Sequence, residues 1–395
     1  MENDTGPDEH ISGILASTSA IDVSGATSAA GEHVRADTAP KVAREIQDPG
    51  ASDRGFKGAM RAAVIHEHGD RAKIILEHAY PKPSPEPGWV VLKVGATSLN
   101  FHDIFTRRGM PGIEIPMPLI IGSDIAGDIH EVGAGVEGWS TGDRVLVDPL
   151  PCRATDWKFI GEQFNGGRAE YCTVHSDQLI RLPATVGYEA AACLPCAYAT
   201  AYRMLLTRGQ MKAGEKVLIL GASGGVGTCC VLLAKMTGAE VIACASSTDK
   251  LERLRHIGAD HVINYKERGM REAVHDLVGK PRVAGTGGVD LAVNYTGGKT
   301  WKDTLRCLGH GGRLVTCGAT AGFDEEVDCR YVWTFEQSII GSDGWNRREL
   351  TDLLHMVEAR KLNPVIDRVL PLEDIHEAER LLEDREVFGK VVVTP

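Results

Sequence analysis

Small residues that follow a short apolar run predict a phosphate-binding turn. In LILGASGGVG, Gly224 and Gly227 stand at the last two glycine positions of the dinucleotide fingerprint, and Ala222 takes the first. One glycine lets the backbone approach a pyrophosphate, and the other lets a helix pack on a strand. A glycine-rich turn in an unrelated α/β unit is the alternative. The residues of the turn that we predict to contact a cofactor are Ser223, Gly224, Gly225, Val226 and Gly227.

The elements around this turn form a βαβ pattern. The β-branched, apolar run 216–220 predicts a strand, an apolar segment from Gly225 to Thr237 predicts a helix, and 241–244 predicts a second strand. The free N–H groups and the positive dipole end of that helix would face the phosphates. The strand, turn and helix together predict a dinucleotide site more strongly than the glycines alone.

Composition and charge exclude several classes of partner. With 395 residues, 43% of them apolar and 25% charged, the chain has the core of a soluble protein of two or three domains. The net charge of −11 disfavours nucleic acid or an anionic membrane as partner, because both require a concentrated basic face. No run of about 18 apolar residues is present, so we expect no membrane-spanning helix. The ten cysteines are scattered, which favours a reducing cytoplasm.

The first 58 residues differ from the rest of the chain. They contain no Trp or Tyr, are rich in small, hydroxyl and acidic residues, and show no sustained apolar periodicity. Such a segment cannot bury enough apolar surface to offset its ordering entropy, so we predict a disordered extension over 1–58 with one short helix over 42–46. It lacks the basic start and apolar core of a signal peptide.

Two strand patterns follow the extension. Over 60–185, short strands separated by Gly and Pro predict a β-rich, partly barrel-like domain. Over 186–344, strands alternate with helices, which predicts an α/β fold with a doubly wound parallel sheet. A helix over 375–382 and a strand over 389–393 would complete the first domain from 345–395. The predicted strands are 61–65, 89–94, 125–132, 144–147, 169–174 and 179–182, then 216–220, 241–244, 262–265, 289–294, 313–317 and 338–341.

Several separated motifs resemble those of the medium-chain dehydrogenase/reductase superfamily, within it the zinc-independent quinone oxidoreductase branch. In order, they are SLNFHDIFTRRG, PLIIGSDIAGDIHEVGAGV, GDRV, AYATAYRML, LILGASGGVG, GADHVINY, GGRLVTCGAT and VFGKVVV. The resemblance covers Met60 to Pro395. It implies a GroES-like catalytic domain interrupted by a Rossmann domain, hydride transfer at a nicotinamide in the cleft between them, and a homodimer formed through the Rossmann domain.

Most of the metal ligands of that family are replaced here. Zinc-dependent members use a Cys, a His in a G-H-E motif and a second Cys, and the matching positions carry Asn100, Ser123 and Cys196. Neutral oxygen ligands hold zinc poorly. Of the four closely spaced cysteines of the family's structural zinc lobe, only Cys152 remains. We therefore expect no metal, and we interpret Cys193 and Cys196, at the start of a helix, as core residues rather than a metal or redox pair.

The residue that ends the second strand of the βαβ unit indicates the cofactor. NAD-specific sites place Asp or Glu there, and this chain has Ala245 followed by Ser246 and Ser247. A 2′-phosphate therefore meets no repelling carboxylate, and Lys250 can supply a positive charge. Tyr265 matches a tyrosine that NADPH-binding quinone reductases use beside that phosphate. We predict NADPH (NADP) as cofactor, and a solvated Lys250 with a packing Tyr265 is the alternative.

Further cofactor contacts are predicted after later strands. Asn294 follows the fourth strand, and Gly318 and Ala319 follow the fifth, where parallel sheets bind ligands beyond their carboxyl ends. Thr200 in AYATAY matches a threonine that lies near the nicotinamide carboxamide in the family.

The resemblance also indicates the reacting end of the site. Asn100 stands where zinc-dependent alcohol dehydrogenases have their first ligand, and His102 where they have a proton-relay hydroxyl. Without a metal, hydrogen bonds must polarise the acceptor oxygen, and a side chain or water must protonate it. We predict Asn100 and His102 as catalytic residues. The alternative for His102 is a residue that lines the cleft without a chemical role. Asp103 and Asp124 are interpreted as residues that orient loops.

These observations predict a cytoplasmic, zinc-free, NADPH-dependent oxidoreductase that transfers hydride to a quinone, an enone or a reactive carbonyl. An enoyl-thioester substrate is disfavoured, because Met110 and Pro111 stand where the family's thioester reductases have a tyrosine donor. A metal-free alcohol dehydrogenase or aldehyde reductase is the first alternative. An NADPH-binding regulatory protein with little turnover is the second, since a fold alone does not determine function.

Overall fold

A computed structural model of the chain describes residues 58–150, 158–324 and 326–395. The disordered extension and the short helix over 42–46 that the sequence predicts fall on residues outside these ranges, apart from the last residue of the extension. No helix in the described part of the chain is long and apolar enough to cross a membrane.

Sixteen strands and ten α-helices are present in the described ranges. The strands are β1 (Ala59–Ile65), β2 (Ile74–Pro81), β3 (Trp89–Ser98), β4 (Leu119–Ile120), β5 (Asp124–Val132), β6 (Arg144–Val147), β7 (Tyr171–His175), β8 (Leu179–Arg181), β9 (Lys216–Ile219), β10 (Glu240–Ala245), β11 (His261–Asn264), β12 (Val289–Val293), β13 (Leu308–Thr316), β14 (Ser338–Gly341), β15 (Ile366–Pro371) and β16 (Lys390–Thr394). The helices are α1 (Phe101–Arg108), α2 (Tyr188–Ala192), α3 (Thr200–Tyr202), α4 (Gly225–Thr237), α5 (Thr248–His256), α6 (Met270–Val278), α7 (Thr300–Leu305), α8 (Cys329–Thr334), α9 (Arg347–Glu358) and α10 (Ile375–Glu383). Two wide π-helical turns, Leu194–Ala199 and Arg203–Arg208, flank α3.

Strands β9 to β14 form a parallel sheet in the order β11-β10-β9-β12-β13-β14. Successive residues of the central strand enter two different cores: Val217 and Ile219 belong to one, and Leu218 and Leu220 to the other. A strand that is buried on both faces requires helices on both sides of its sheet. The sheet is therefore the doubly wound type with the Rossmann strand order, which confirms the predicted fold class for this region.

The remaining strands form two further sheets. One has the order β15-β16-β3-β5-β6-β8, with β7 also paired to β3, and the other has the order β2-β1-β4. The C-terminal strand β16 pairs antiparallel with β3 through Val392 and Ser98, so the end of the chain returns to the β-rich region. The predicted β-rich region is thereby confirmed, while the domain limits at 60–185, 186–344 and 345–395 stay predictions.

Strand β3 shows why several predicted strand ends were wrong. Its predicted end was residue 94, because Gly95 interrupts the apolar pattern, but the strand continues to Ser98. An ideal Cβ on Gly95 would lie 2.6 Å from the ring of Tyr188 in α2. The glycine therefore accommodates a tertiary contact rather than ending the strand.

Other differences have similar causes. Strand β13 begins at Leu308 rather than at 313, because the glycines of LGHGG read as a turn in sequence. Strand β7 is Tyr171–His175 rather than 169–174, since Ala169 forms an isolated bridge with Ala62 instead. The sequence did not predict β2, β4 or β15, whose residues are partly exposed or too few to show an alternating pattern.

Candidate functional site

Most of the predicted cofactor residues meet at one edge of the parallel sheet. The glycine turn follows β9, Ser246 follows β10, Asn294 follows β12, and Gly318 and Ala319 follow β13. These strands are parallel neighbours, so their carboxyl ends lie at the same edge. Tyr265 follows β11 at the outer end of that edge. The structure thus brings together residues that lie far apart in sequence.

The glycine turn presents free backbone donors. Gly224 is the N-cap of α4, with φ −82° and ψ 175°, and makes no side-chain capping hydrogen bond. The first hydrogen bond of the helix runs from the N–H of Thr228 to the carbonyl of Gly224, at 2.8 Å. The N–H groups of Val226 and Gly227 have no acceptor among the described residues. Unpaired N–H groups at the positive end of a helix dipole suit an anion such as a pyrophosphate.

The two fingerprint glycines have contrasting surroundings. An ideal Cβ on Gly224 would meet only the carbonyl oxygen of Gly221, at 3.6 Å. A Cβ on Gly227 would lie 2.4 Å from the same oxygen and 2.6 Å from the Cα of Ala222. Gly221 itself has φ +63°, and its carbonyl accepts a hydrogen bond from the Tyr295 hydroxyl at 2.8 Å. A turn that is open at one glycine and tightly packed at the other fits the diphosphate of a nicotinamide dinucleotide.

The segment after β10 would face the adenosine ribose. The strand ends at Ala245, and Ser246 and Ser247 follow it. Ser247 caps α5, since its hydroxyl accepts from the N–H of Lys250 at 3.4 Å. The ammonium of Lys250 donates to the carbonyl of Arg385, at 2.6 Å, in the turn after α10. Lys250 is therefore anchored beside the segment that the sequence assigned to the 2′-phosphate.

Lys250 has cationic neighbours. Burial lowers the pKa of Lys250, Asp367 opposes this effect, and the charges of Arg253 and Lys266 lower the pKa further. Lys266 directly follows Tyr265, whose surface is 47% exposed. The surroundings of Lys250 thus carry both signs of charge, with Asp249 and Asp367 as the carboxylates, and Lys266 is a cation there that the sequence analysis did not single out.

Asn294 organises its own loop. Its side-chain nitrogen donates to the hydroxyls of Thr300, at 3.1 Å, and Thr304, at 2.9 Å. Its oxygen accepts from the N–H groups of Thr296 and Gly297 at 3.0 and 3.1 Å. Because these bonds engage both polar atoms of the buried side chain, its predicted part in cofactor binding would act through the position of the loop.

Thr200 begins α3 and is half-buried. The π-helical turn before it packs against the glycine turn, since a Cβ on Gly225 would lie 3.2 Å from the Cβ of Ala197. Gly318 is exposed, with open space where a side chain would stand, and Ala319 is half-buried. These assignments to cofactor binding stay predictions.

The two candidate catalytic residues are the N-cap and the second residue of helix α1, and buried charges hold the first turn of this helix. Asn100 is the N-cap, and its N–H donates to Asp103 at 2.9 Å. Arg168 donates to the same carboxylate oxygen at 2.8 Å and also to Glu379 on α10. Burial raises the pKa of Asp103, and the charge of Arg168 opposes this effect. Asp103 thus connects the N-cap of α1 to Arg168, and its role in orienting loops stays a prediction.

His102 forms an ion pair with Glu162. The Nε2 of His102 is hydrogen-bonded to the Glu162 carboxylate, and the side chains are 37% and 8% exposed. The Phe159 ring packs edge-on against the imidazole at 5.2 Å. Burial lowers the pKa of His102, but the hydrogen bond and charge of Glu162, with help from Asp103 and Asp124, outweigh burial and raise it above its usual value. The Nδ1 has no partner in the described part of the chain, so an N–H on it is free to donate.

A buried ammonium lies beside the other candidate. Lys390 is 2% exposed, and its Nζ donates to the carbonyl of Leu99 at 2.8 Å, to Asp124 at 3.3 Å, and to the Oδ1 of Asn100. The Nδ2 of Asn100 donates to the same oxygen of Asp124 at 2.9 Å. We refer to Lys390, Asp124 and Asn100 as the buried polar centre.

The residues at the three positions that match the family's zinc ligands do not fit a zinc ion. The oxygen of Asn100 already accepts from Lys390, and a divalent cation beside a buried ammonium is repelled. Burial raises the pKa of Cys196 well above its usual value, which disfavours the thiolate that zinc needs. The Ser123 hydroxyl is buried without a partner among the described residues. No group of three or more His, Cys, Asp or Glu in the described ranges could hold a metal ion.

The two neighbouring cysteines lie inside a helical stretch rather than at its start, which corrects the sequence interpretation. Helix α2 already begins at Tyr188, Cys193 follows its last residue, and Cys196 lies in the π-helical turn. Burial raises the pKa of Cys193 to about 12, so the thiol stays protonated and packs as a core residue.

Two further residues of the site, Glu162 and Lys390, were not predicted from the sequence. Glu162 lies in a loop, 60 residues from its partner His102, and no spacing rule connects the two. Lys390 stands in the motif VFGKVVV, which contributes to the family resemblance. A lysine that opens an otherwise apolar, buried strand is an unusual placement, and this signal could have identified it.

Comparisons with known proteins agree with this geometry. The family model described as alcohol dehydrogenase GroES-like domain matches residues 86–184, and the one described as zinc-binding dehydrogenase matches residues 225–359. The chain is 30% identical over 341 residues to a quinone oxidoreductase of Mus musculus, covering 85% of this chain and 97% of that relative.

Two solved structures illustrate the range of similar proteins. An NAD-dependent alcohol dehydrogenase aligns with a TM-score of 0.78 and 33% identity, covering 85% of this chain and 100% of that one. The 2-octenoyl-CoA carboxylase reductase CinF, solved with NADP and 2-octenoyl-CoA, aligns with a TM-score of 0.74 and 29% identity, covering 85% and 88%.

A doubly wound sheet with a dinucleotide turn, joined to a GroES-like β-rich region, defines an oxidoreductase that uses a nicotinamide cofactor. The chain belongs to the medium-chain dehydrogenase/reductase superfamily. The predicted family and enzyme class are thereby confirmed. One matching model is named for zinc, yet the residues at the corresponding positions of this chain do not fit that metal.

Proposed function

We propose that the protein is an NADPH-dependent reductase of quinones, enones or reactive carbonyls, all of them small molecules, and that it works without a catalytic metal. One observation carries the proposal: His102, with a raised pKa and a free Nδ1, lies on the same helical turn as Asn100. A protonated donor beside an amide suits an acceptor oxygen that gains negative charge.

The reaction requires one hydride and one proton. Bound NADPH would supply the hydride for the β-carbon of an enone or for a carbonyl carbon, and negative charge would then develop on the acceptor oxygen. Asn100 donates a hydrogen bond to that oxygen. His102 then releases its proton from Nδ1, and Glu162 stabilises the imidazolium before the transfer. A neutral, reduced product results.

The proposal of NADPH rests on the end of β10. Ala245 leaves no carboxylate to repel a 2′-phosphate, and Ser246 and Ser247 are small hydroxyl residues. Lys250 and Lys266 supply positive charge nearby. Among the similar structures, CinF was solved with NADP and another is an NAD-dependent enzyme, so measured affinities for both cofactors are the deciding evidence.

A metal-free alcohol dehydrogenase or aldehyde reductase is the second candidate, favoured by the similarity to an alcohol dehydrogenase. A binding protein with little turnover is the third. The likeness to CinF brings enoyl thioesters into the set of acceptors to test, although Met110 and Pro111 disfavoured them in sequence.

Anaerobic titration of NADPH with a panel of acceptors distinguishes these functions. The panel contains a quinone, an enone, an aldehyde and an enoyl-CoA, and absorbance at the reduced-nicotinamide band is followed. The proposal expects oxidation of NADPH by the quinone or the enone. Oxidation by the aldehyde alone would restrict the proposal to reactive carbonyls, the acceptor class that it shares with the second candidate. Cofactor binding without turnover on any acceptor would favour the third.

We further propose a homodimer that forms through the Rossmann region, in a reducing cytoplasm. Strand β14 is one of the two edge strands of the parallel sheet, and three of its four residues are exposed, which leaves this edge accessible to a second copy. All nine described cysteines are free thiols, which supports the assignment to a reducing compartment. Sedimentation equilibrium of the full chain measures the oligomeric state.

A further inference from the structure

The side chain of Lys390 connects the glycine turn to helix α1. Gly389, just before it, forms an isolated bridge with Gly224, and its N–H donates to the carbonyl of Ser223 at 2.9 Å. The lysine stem passes over the first residue of α4, since a Cβ on Gly225 would lie 2.6 Å from its Cδ. Its ammonium ends at Asn100. One side chain thus spans from the proposed phosphate site to the proposed reacting end.

The ammonium is directed toward Asn100 more than toward its counterion. Its nitrogen lies 2.8 Å from the carbonyl of Leu99 and is hydrogen-bonded to the Asn100 oxygen, whereas Asp124 is 3.3 Å away. Asp124 also accepts from the Ser98 hydroxyl at 2.7 Å. The carboxylate of Asp124 is therefore shared among several donors, and the shortest contacts of the lysine ammonium are to the Leu99 carbonyl and the Asn100 oxygen.

Asn100 retains one unused donor. A side-chain amide has two N–H groups, and one of them is bonded to Asp124. The other has no acceptor in the described ranges, and the residue is 6% exposed. A cation bonded to the amide oxygen withdraws electron density from the amide and makes its free N–H a stronger donor.

We propose that Lys390 is a positioning residue for hydride transfer, which polarises and holds Asn100 so that the free N–H of the amide stabilises the negative oxygen of the acceptor. The fixed charge at these positions then comes from an ammonium rather than from a metal. This inference rests on the proposed function, because it assumes that negative charge develops on an acceptor oxygen.

The test removes the charge without leaving an unpaired ion. Lys390→Met alone leaves the buried carboxylate of Asp124 without its counterion and risks misfolding, whereas replacement of both members of a buried ion pair is well tolerated. The double variant Lys390→Met/Asp124→Asn is therefore compared with the parent. We expect it to bind NADPH within about threefold of the parent while kcat falls about 100-fold, as when one oxyanion donor is lost. Deuterated NADPH should show a larger isotope effect on kcat, because hydride transfer becomes rate-limiting.

The control is an ion pair elsewhere in the chain that is half-buried. Arg313 and Glu215 are joined at 2.6 Å, and Glu215 precedes β9, at the strand end opposite the ligand edge. Arg313→Met/Glu215→Gln should keep parental kcat. A parental kcat and isotope effect in the Lys390 and Asp124 double variant would overturn the proposal.

A second readout does not depend on turnover. The parent complex with NADP is titrated with 4-nitrophenolate, whose oxygen carries the charge expected of the developing oxyanion, and its absorbance shift is measured. The Lys390 and Asp124 double variant should bind this probe about tenfold more weakly. Equal binding, or no binding to the parent, overturns the proposal. If none of the acceptors in the panel is reduced by NADPH in the presence of the parent, the proposed function fails. The titration still decides the role of Lys390.

Discussion

The carboxylate of Glu162 is hydrogen-bonded to the Nε2 of His102, and the pair lies beside the N-cap of helix α1. Burial alone would lower the pKa of the histidine, and the carboxylate reverses that effect. The carboxylate favours the protonated imidazole and leaves Nδ1 as the free donor. The proton of the proposed reaction therefore depends on two residues, one of them from a distant loop.

Replacement of His102 should slow the chemical step. We expect His102→Gln to lower kcat for an enone or aldehyde by about 10- to 1000-fold, the range of a lost general acid, with the Kd for NADPH unchanged. Steady-state kinetics with several acceptors and fluorescence titration of NADPH provide the measurement. A quinone can take its proton from water and should show a smaller effect. Parental kcat on every acceptor would make His102 a lining residue without chemical role.

Replacement of Glu162 should shift the pH at which kcat falls, without abolishing the fall. If protonated His102 is the donor, kcat falls as pH rises through the pKa of His102, which Glu162 raises. Glu162→Gln lowers that pKa, so the fall should begin at a lower pH. A pH profile of kcat measures the limb. An unchanged limb would show that Glu162 does not control the donor.

The ion pair of His102 and Glu162 also predicts how the stability of the fold changes with pH. A histidine with a raised folded pKa stabilises the fold fully below its unfolded pKa of about 6.5, and this contribution is lost as pH rises through the folded pKa. The decrease in melting temperature caused by Glu162→Gln should therefore be larger at acid pH than at alkaline pH. This comparison serves as a structural control for the kinetic profile.

Cofactor preference should respond to the residues after β10. NADPH is expected to bind more tightly than NADH, and Lys250→Ala should narrow the gap by about 1 to 2 kcal/mol if its ammonium leaves the Arg385 carbonyl to bind the 2′-phosphate. Ala245→Asp should instead favour NADH. Fluorescence titrations with both cofactors measure the gap. The affinity for NADH is the internal control, because NADH lacks the 2′-phosphate. Equal affinities of the parent for NADPH and NADH would contradict the assignment of NADPH as cofactor.

Substitutions at two glycines of the turn should have different effects. One should destabilise the fold, and the other should weaken NADPH binding. A Cβ on Gly227 would lie 2.4 Å from a backbone oxygen, so Gly227→Ala should destabilise the fold by about 1 to 3 kcal/mol, the cost of overpacking. A Cβ on Gly224 meets no protein atom closer than 3.6 Å, and φ there is −82°, so Gly224→Ala should fold normally. Its methyl group would stand in the phosphate space and weaken NADPH binding about tenfold or more. Melting curves and NADPH titrations test the pair, and normal cofactor binding by a folded Gly224→Ala would place the phosphates elsewhere.

Chelation should leave the enzyme active. The residues that match the zinc ligands are Asn100, Ser123 and Cys196, and the Asn100 oxygen accepts from Lys390. We expect substoichiometric zinc in the purified protein and unchanged kcat in excess chelator. Elemental analysis provides the measurement. Stoichiometric, tightly bound zinc would overturn this expectation.

The sequence by itself determined the class of fold and the position of the dinucleotide turn. The strand 216–220, the glycines of the turn and the helix that follows are local in sequence, and hydrogen-bond geometry and helix periodicity act over such short spans. The observed strand β9 and helix α4 agree with that prediction. Family motifs then placed Asn100 and His102 as candidates.

The tertiary structure alone decided what those candidates touch. Glu162 reaches His102 from 60 residues away, and Lys390 reaches Asn100 from 290 residues away. Neither contact follows from periodicity, because sheet pairing between β3 and β16 and the packing of a loop bring these residues together. The charge of a buried site depends on which groups share its low-dielectric surroundings, and only the folded chain defines that set.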